Sequence, residues 1–244
     1  MIISGEDVIE MSRVETARAE HGPDAERLTT RLLAVNASPR RNGRTAELLT
    51  AALTAARGDD AEVKLIHLVD YDIRRCRGCY ACVQGPCPQK DDMSRLLADM
   101  QAWTGGAVLY GAPVFNFNVP GLLVDYWNRK TGMSGYFRAR HDGTVDSWLA
   151  HQRAWTVGGG MAQASHSGGE KVALRHLNFA LLGEAARVFP GLAAHAREGQ
   201  VVLARAAQLG RRLVAVSRRA QAPYPLGQMA LVYKRRTCFE FPRP

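Results

Sequence analysis

Four of the chain's five cysteines fall within twelve residues, Cys76-Arg-Gly-Cys79-Tyr-Ala-Cys82-Val-Gln-Gly-Pro-Cys87. Gaps of two, two and four residues leave the stretch too short for a long regular element and rich in sulfur for an ordinary surface loop. Three thiolates at successive two-residue gaps can face one centre, and a fourth can close the set, which is the arrangement a 4Fe-4S cluster takes. Zinc fits less well, because structural zinc sites bring paired ligands from two separate elements. Disulfides need an oxidising compartment. Three readings therefore stand side by side: a cluster loop, four reduced thiols in a surface loop, and a zinc or disulfide site. The spacing points to metal chemistry without saying what the metal does.

With 244 residues and 46% hydrophobic composition, the chain can bury one sizeable core and still carry appended segments. Glu6, Asp7 and Glu10 interrupt the N-terminus where a secretory leader would be apolar, so none is expected. Residues 100–124 carry no charge over 25 residues, but four glycines, Pro113, Pro120, Asn116 and Asn118 rule out a continuous lipid-facing helix. A soluble, cytoplasmic protein without membrane contact is expected, and such a compartment favours metal ligation over disulfides. The net charge of +9 invites a nucleic-acid partner. Only five of the 32 basic residues are lysine, however, and no dense basic run or helix-turn-helix pattern is present. Attraction to phosphorylated cofactors or an acidic redox protein explains the charge more economically, and nucleic acid is not expected.

Residues 1–30 are polar and net −4, and they read as an extension. Leu32 to Val35 is a short apolar run followed by a polar loop, which suits a buried parallel strand. Thr45 to Arg57 places leucines and alanines at helical spacing, with Gly58 as its stop. Val63 to Leu68 reads as a second strand, and the cysteine loop follows it. A helix capped by Asp91 or Asp92 is predicted to about Trp103, a third strand at Ala107 to Tyr110, and a helix from Pro120 to Arg129. Ala154 to Val157 reads as strand four, Lys171 to Leu182 as helix, Ala186 to Phe189 as strand five and Gln200 to Arg218 as a closing helix. Alternating strands and helices imply an α/β fold, a doubly wound five-stranded parallel sheet with helices on both faces, over residues 31–219. Residues 220–244 read as a tail.

Three polar or glycine-rich loops fall at the predicted C-terminal ends of strands. Ser38-Pro-Arg-Arg-Asn-Gly-Arg-Thr45 follows strand one and opens a helix, a setting that suits phosphate. Gly111 to Pro120 follows strand three. Gly158 to Met161, continuing to His166-Ser-Gly-Gly169, is placed after strand four. Open α/β sheets bind ligands at such ends, with strands one and three flanking the switch point.

Ser-Pro-Arg-x-x-Gly-x-Thr, the cysteine loop, Lys90-Asp-Asp-Met93, Gly-x-Pro-Val-Phe with Asn-Val-Pro120, and Asn128-Arg129 together resemble the NAD(P)H-dependent FMN reductase family. The four cysteines make the chain similar to the iron–sulfur flavoproteins within that group. The resemblance implies a flavodoxin-like sheet of strand order 2-1-3-4-5, FMN as cofactor and NAD(P)H as a candidate electron donor. It implies that Ser38, Arg40, Asn42, Gly43, Arg44 and Thr45 surround the FMN phosphate. Pro113, Val114, Phe115, Asn116, Phe117 and Asn118 would line the isoalloxazine, with Gly158, Gly159 and Gly160 against its other edge. Cys76, Cys79, Cys82 and Cys87 would hold a 4Fe-4S cluster, and the protein would assemble as a homodimer or homotetramer.

Two departures bear on substrate. Phe117 stands where the family usually has a small residue, so its ring either narrows the exposed flavin face or serves as a platform for a planar substrate. Residues 130–152 form a longer insertion with Tyr136, Phe137, His141 and Trp148, placed where a lid could close. His166 is the candidate proton donor, although a loop histidine is more often structural. His67 reads as a core or rim residue. No Ser-His-Asp set or carboxylate pair is evident, so the chemistry belongs to cofactors. The expected activity is FMN-dependent reduction of a small planar acceptor (a quinone, nitro or N-oxygenated aromatic) or electron transfer to a carrier such as ferredoxin or another redox protein. A cluster-free NAD(P)H:quinone or flavin reductase and a non-catalytic redox module are the alternatives.

Overall fold

The computed structural model describes residues 30–83, 85–133, 155–166, 168–185 and 187–220. In chain order these form β1 (Arg31–Asn36), α1 (Arg44–Gly58), β2 (Glu62–His67), α2 (Met93–Gln101), β3 (Ala107–Pro113), α3 (Gly121–Met133), β4 (Val157–Ala164), α4 (Glu170–Leu181), β5 (Val188–His195) and α5 (Val201–Ala220). The strands make one sheet in the order β2-β1-β3-β4-β5 with every pairing parallel, as expected for a flavodoxin-like arrangement.

Alternation along β1 shows how the two layers are specified. Leu33 and Val35 enter a core with Met93, Leu96, Leu123, Tyr126 and Leu177 from α2, α3 and α4. Leu32 and Ala34 face the opposite way, onto Leu48, Leu49, Leu209 and Leu213 of α1 and α5. Successive strand side chains point to opposite faces, so a fully apolar strand needs a helical layer on each side. Among the described residues no helix is long and apolar enough to cross a membrane.

Two strands lie further along the chain than their apolar runs suggested. β4 begins at Val157 and continues through Gly158, Gly159 and Gly160 to Ala164, so the glycines form the strand and not a loop after it. An added Cβ would come 2.9 Å from Leu181 Cδ2 at Gly158, 3.2 Å from Leu213 Cδ1 at Gly159 and 2.9 Å from Leu177 Cβ at Gly160. Helices press on both faces of β4 there, and the missing side chains leave the room. β5 likewise runs from Val188 to His195 instead of ending at Phe189. α3 continues past Arg129 to Met133, because Arg129 is buried against Asp91 and does not mark a solvent-exposed helix end. The extension 1–29, the tail 221–244 and the aromatic positions of the expected lid lie outside the described residues.

Candidate functional site

β1, β3 and β4 all deliver loops to one edge of the sheet, where they enclose a cavity of about 580 Å³. Its first wall is the turn from β1 into α1. Asn36 Oδ1 accepts a hydrogen bond from the Ser38 amide at 3.0 Å, and Ser38 Oγ accepts one from the Arg40 amide at 3.1 Å. These bonds curl the chain so that the Ser38 and Thr45 side chains are buried beside the start of α1. Gly43 precedes α1 in extended geometry and offers no capping side chain. The N-terminal end of α1 therefore presents backbone donors and a partial positive charge to the cavity, which suits an anion.

The arginines of this loop divide by partner. Arg41 is paired with Asp70, outside the cavity wall. Arg44 lines the cavity, but its guanidinium bonds Glu47 at 2.7 Å and the Gly199 carbonyl at 2.6 Å. Arg40 lines the cavity, is exposed and makes no ion pair among the described residues, leaving its charge available. Asn42 lies on the α1 side, in the wall of a second, more open groove between α1 and α5.

The second wall follows β3. Phe115 and Asn118 exchange backbone hydrogen bonds of 2.9 Å in both directions, closing a two-residue turn over Asn116 and Phe117. Both central residues are left-handed, with φ of 49° and 62°, the geometry of a type I′ turn. Asparagine tolerates that region; phenylalanine does so at a strain cost. The reward is position. The two phenyl side chains stand half exposed, and Phe117 packs so closely on Gly169 that a Cβ there would lie 2.7 Å from its ring. Asn118 Oδ1 accepts from the Val119 amide at 2.8 Å and lies 2.7 Å from His176 Nδ1, tying the turn to α4.

Gln163, Ala164, Ser165, His166 and Gly168, at and beyond the end of β4, complete the enclosure. His166 is exposed at this rim. Of the expected residues, Ser38, Arg40, Gly43, Arg44, Thr45, Pro113 to Phe117 and His166 meet around one cavity, and Asn118 braces the turn from behind. Gly158, Gly159 and Gly160 do not: they are buried within β4 under α4 and α5. Gln163 and Ser165 are not among the expected site residues, because β4 runs on past Val157 to Ala164 and carries them to the cavity. His67, expected as a core or rim residue, is partly buried at the end of β2, and its Nδ1 lies 2.9 Å from Asn36 Nδ2, directly behind the Ser38 turn. Burial and then the charge of Arg41 lower the His67 pKa, against an opposing effect of Asp70, which suits a neutral ring accepting from the Asn36 amide.

The cysteine loop contains one short helical turn, Ala81–Val83, which packs against α3. Its stems are paired: Asp72 and Asp92 hold each other's backbone through two 2.9 Å bonds, and Gln89 donates to the Arg75 carbonyl at 3.1 Å. Cys76 and Cys79 are exposed, whereas Cys82 and Cys87 are partly buried. Burial raises the Cys82 thiol pKa, and the neighbouring Cys87, Cys76 and Cys79 raise it further. Four soft thiol donors in one short loop are the right chemistry for an iron–sulfur group. Among the described residues, however, no three His, Cys, Asp or Glu side chains converge as metal ligands, so the fit is one of donor set and not of closed geometry.

Comparison with known proteins adds a consistent picture. A family model described as NADPH-dependent FMN reductase matches residues 30–178. An iron-sulfur flavoprotein of Archaeoglobus fulgidus is 36% identical over 112 residues, which are 46% of this chain and 54% of that relative. The chain thus spans about half the length of that curated relative. An iron-sulfur flavoprotein of Methanocaldococcus jannaschii is 28% identical over 155 residues, 62% of this chain and 72% of the relative. Among solved structures, a flavone reductase superposes with a TM-score of 0.60 at 18% identity, covering 80% of this chain and 66% of the other. At that identity the superposition speaks to the fold.

Proposed function

The chain belongs to the NADPH-dependent FMN reductase family, and from this premise we propose that it is a flavin-dependent oxidoreductase acting on a small planar acceptor such as a quinone, nitro or N-oxygenated aromatic. The observation that carries the reading is the cavity walled by the β1, β3 and β4 loops, with the start of α1 at one end and the Asn116-Phe117 turn at the other. FMN, when bound, supplies two-electron chemistry that can also be delivered one electron at a time.

The protein's own share is positioning. Ser38, Thr45 and the first amides of α1 would hold the FMN phosphate, and Arg40 would add a charge. Pro113 and Val114 form an apolar wall, while Phe115 and Phe117 offer a planar acceptor a surface to stack on. Reduction of a quinone takes two electrons and two protons. A hydride donor such as NAD(P)H brings both electrons and one proton, and exposed His166 at the rim would pass on the other. Exposed Phe179 on α4 and Leu182 just beyond its end support assembly as a homodimer or homotetramer.

The same proposal assigns Cys76, Cys79, Cys82 and Cys87 to a 4Fe-4S cluster, supported by the donor set and by the names of both relatives. A second reading, a cluster-free NAD(P)H:quinone or flavin reductase, is favoured by the unconverged thiols. Anaerobic purification followed by flavin, iron and sulfide counts separates them. Stoichiometric flavin with about four irons per chain supports the cluster form, and flavin without sulfide supports the simpler enzyme. A protein with no affinity for FMN overturns both.

A further inference from the structure

We propose that Arg129 is a positioning residue for the four-cysteine loop, clasping its stems from α3 and standing beside Cys87 as a hydrogen-bond donor to the sulfur site; this rests on reading the loop as a cluster site. The clasp is buried: the side chains of Arg129 and Asp91 are 2% and 1% exposed. Arg129 forks onto Asp91, Nη1 to Oδ2 at 2.5 Å and Nη2 to Oδ1 at 3.0 Å. Nη1 also donates to the Arg74 carbonyl at 2.8 Å, and Asp91 Oδ2 accepts from the Arg74 amide at 3.0 Å. One guanidinium thereby joins residue 74, ahead of the first cysteine, to residue 91, beyond the last.

A buried ion pair of this kind is a costly way to fasten a loop. Removing two charges from water is repaid only when the remaining donors and acceptors are matched. Here they are not fully matched, because Arg129 Nε is buried and has no hydrogen-bond partner among the described residues. Burial lowers the Arg129 pKa, but Asp91 and then Cys87 more than offset it, so the Cys87 thiol acts on the guanidinium. One turn further along α3, a Cβ on Gly132 would lie 3.0 Å from Cys82 Sγ, so α3 approaches the second half of the loop at two cysteines. Cys76 and Cys79, in the first half, are exposed. The loop thus has a half fixed on α3 and a half that can fold over a metal group. Hydrogen bonds to the sulfurs of such a group, and a positive charge beside it, raise its reduction potential.

Full-length protein with Arg129→Gln or Arg129→Lys tests this in two ways. In cluster-free protein, limited trypsin digestion after Arg75 and Arg77 should run at least about tenfold faster in R129Q than in the parent, with FMN still bound. Equal cleavage rates would overturn the clasp whether or not any metal binds. In protein loaded anaerobically with iron and sulfide, R129K, which keeps a charge but loses the fork, should show a lower cluster midpoint potential by EPR-monitored titration. A purely structural role would leave that potential unchanged, and such a result would overturn the donor role. Should the parent protein bind no iron and sulfide while R129Q is cleaved faster, the cluster reading falls and the clasp stands.

Discussion

Phe117 places a bulky side chain where the backbone is left-handed, a conformation that costs a non-glycine residue about 1 kcal/mol or more. If the ring is retained for stacking, Phe117→Gly should leave the urea midpoint unchanged or raise it by the equivalent of about 1 kcal/mol. It should also lower kcat/KM for planar aromatic acceptors about tenfold. A stability loss with unchanged kinetics would instead make the ring a packing group. His67 carries a different kind of information. Its pKa lies below the ordinary 6.5, mainly through burial, so the unfolded chain binds its proton more readily than the native one. This contribution to stability is present above the ordinary value and is lost as pH falls through the window just below it. His67→Asn should therefore flatten the decline in stability between pH 7.5 and 5.5 measured by urea unfolding. A parallel decline in both proteins would assign the acid sensitivity to other groups.

At the scale of elements, β4 is built by what it lacks. Where helices come this close to a strand's backbone no side chain fits between, and Gly158 to Gly160 provide that clearance beneath α4 and α5. Gly210 does the same within α5, where an added Cβ would lie 2.1 Å from the Ala52 carbonyl oxygen of α1. Gly160→Ala should cost about 1–3 kcal/mol by overpacking. It should leave FMN affinity unchanged, since the residue lies under Leu177 and Asn178 and not in the cavity wall. Calorimetric stability and a flavin fluorescence titration read the two effects separately. Weakened FMN binding without destabilisation would return these glycines to the site.

At the scale of the whole molecule, the cavity belongs to no single element: three loops spread over more than 100 residues of chain meet because β1, β3 and β4 are adjacent in the sheet. Ligand binding should therefore stabilise the domain as a unit. Free FMN at about a hundred times its Kd adds about 2.7 kcal/mol. For a domain of this size that corresponds to a rise in Tm of about 5–10 °C. Differential scanning fluorimetry with and without FMN checks it, and an unchanged Tm would mean the cavity is not the flavin site. α3 has a second role at this scale. It begins beside the Phe117 turn and reaches the cysteine loop at Gly132, about 16 Å further along its axis at 1.5 Å per residue. One rigid helix thus relates the two candidate redox sites.

Local pattern alone determined the alternation of strands and helices, the cysteine set and the loops after β1 and β3, and the strand order came with the family resemblance that those motifs carry. Each is written in consecutive residues: an apolar run such as Leu32 to Val35, a helix opening after Ser38, thiols at two-residue gaps. Only the folded molecule decided that the triple glycine is strand, because a glycine run signals a turn until two helices are seen pressing on it. It alone decided that Arg44 is engaged while Arg40 makes no ion pair among the described residues, that Gln163 and Ser165 close the cavity, and that Arg129 pairs with Asp91. Those outcomes depend on which distant groups come within hydrogen-bond reach. Such reach is fixed by packing across the sheet and leaves no mark on the residues adjacent in sequence.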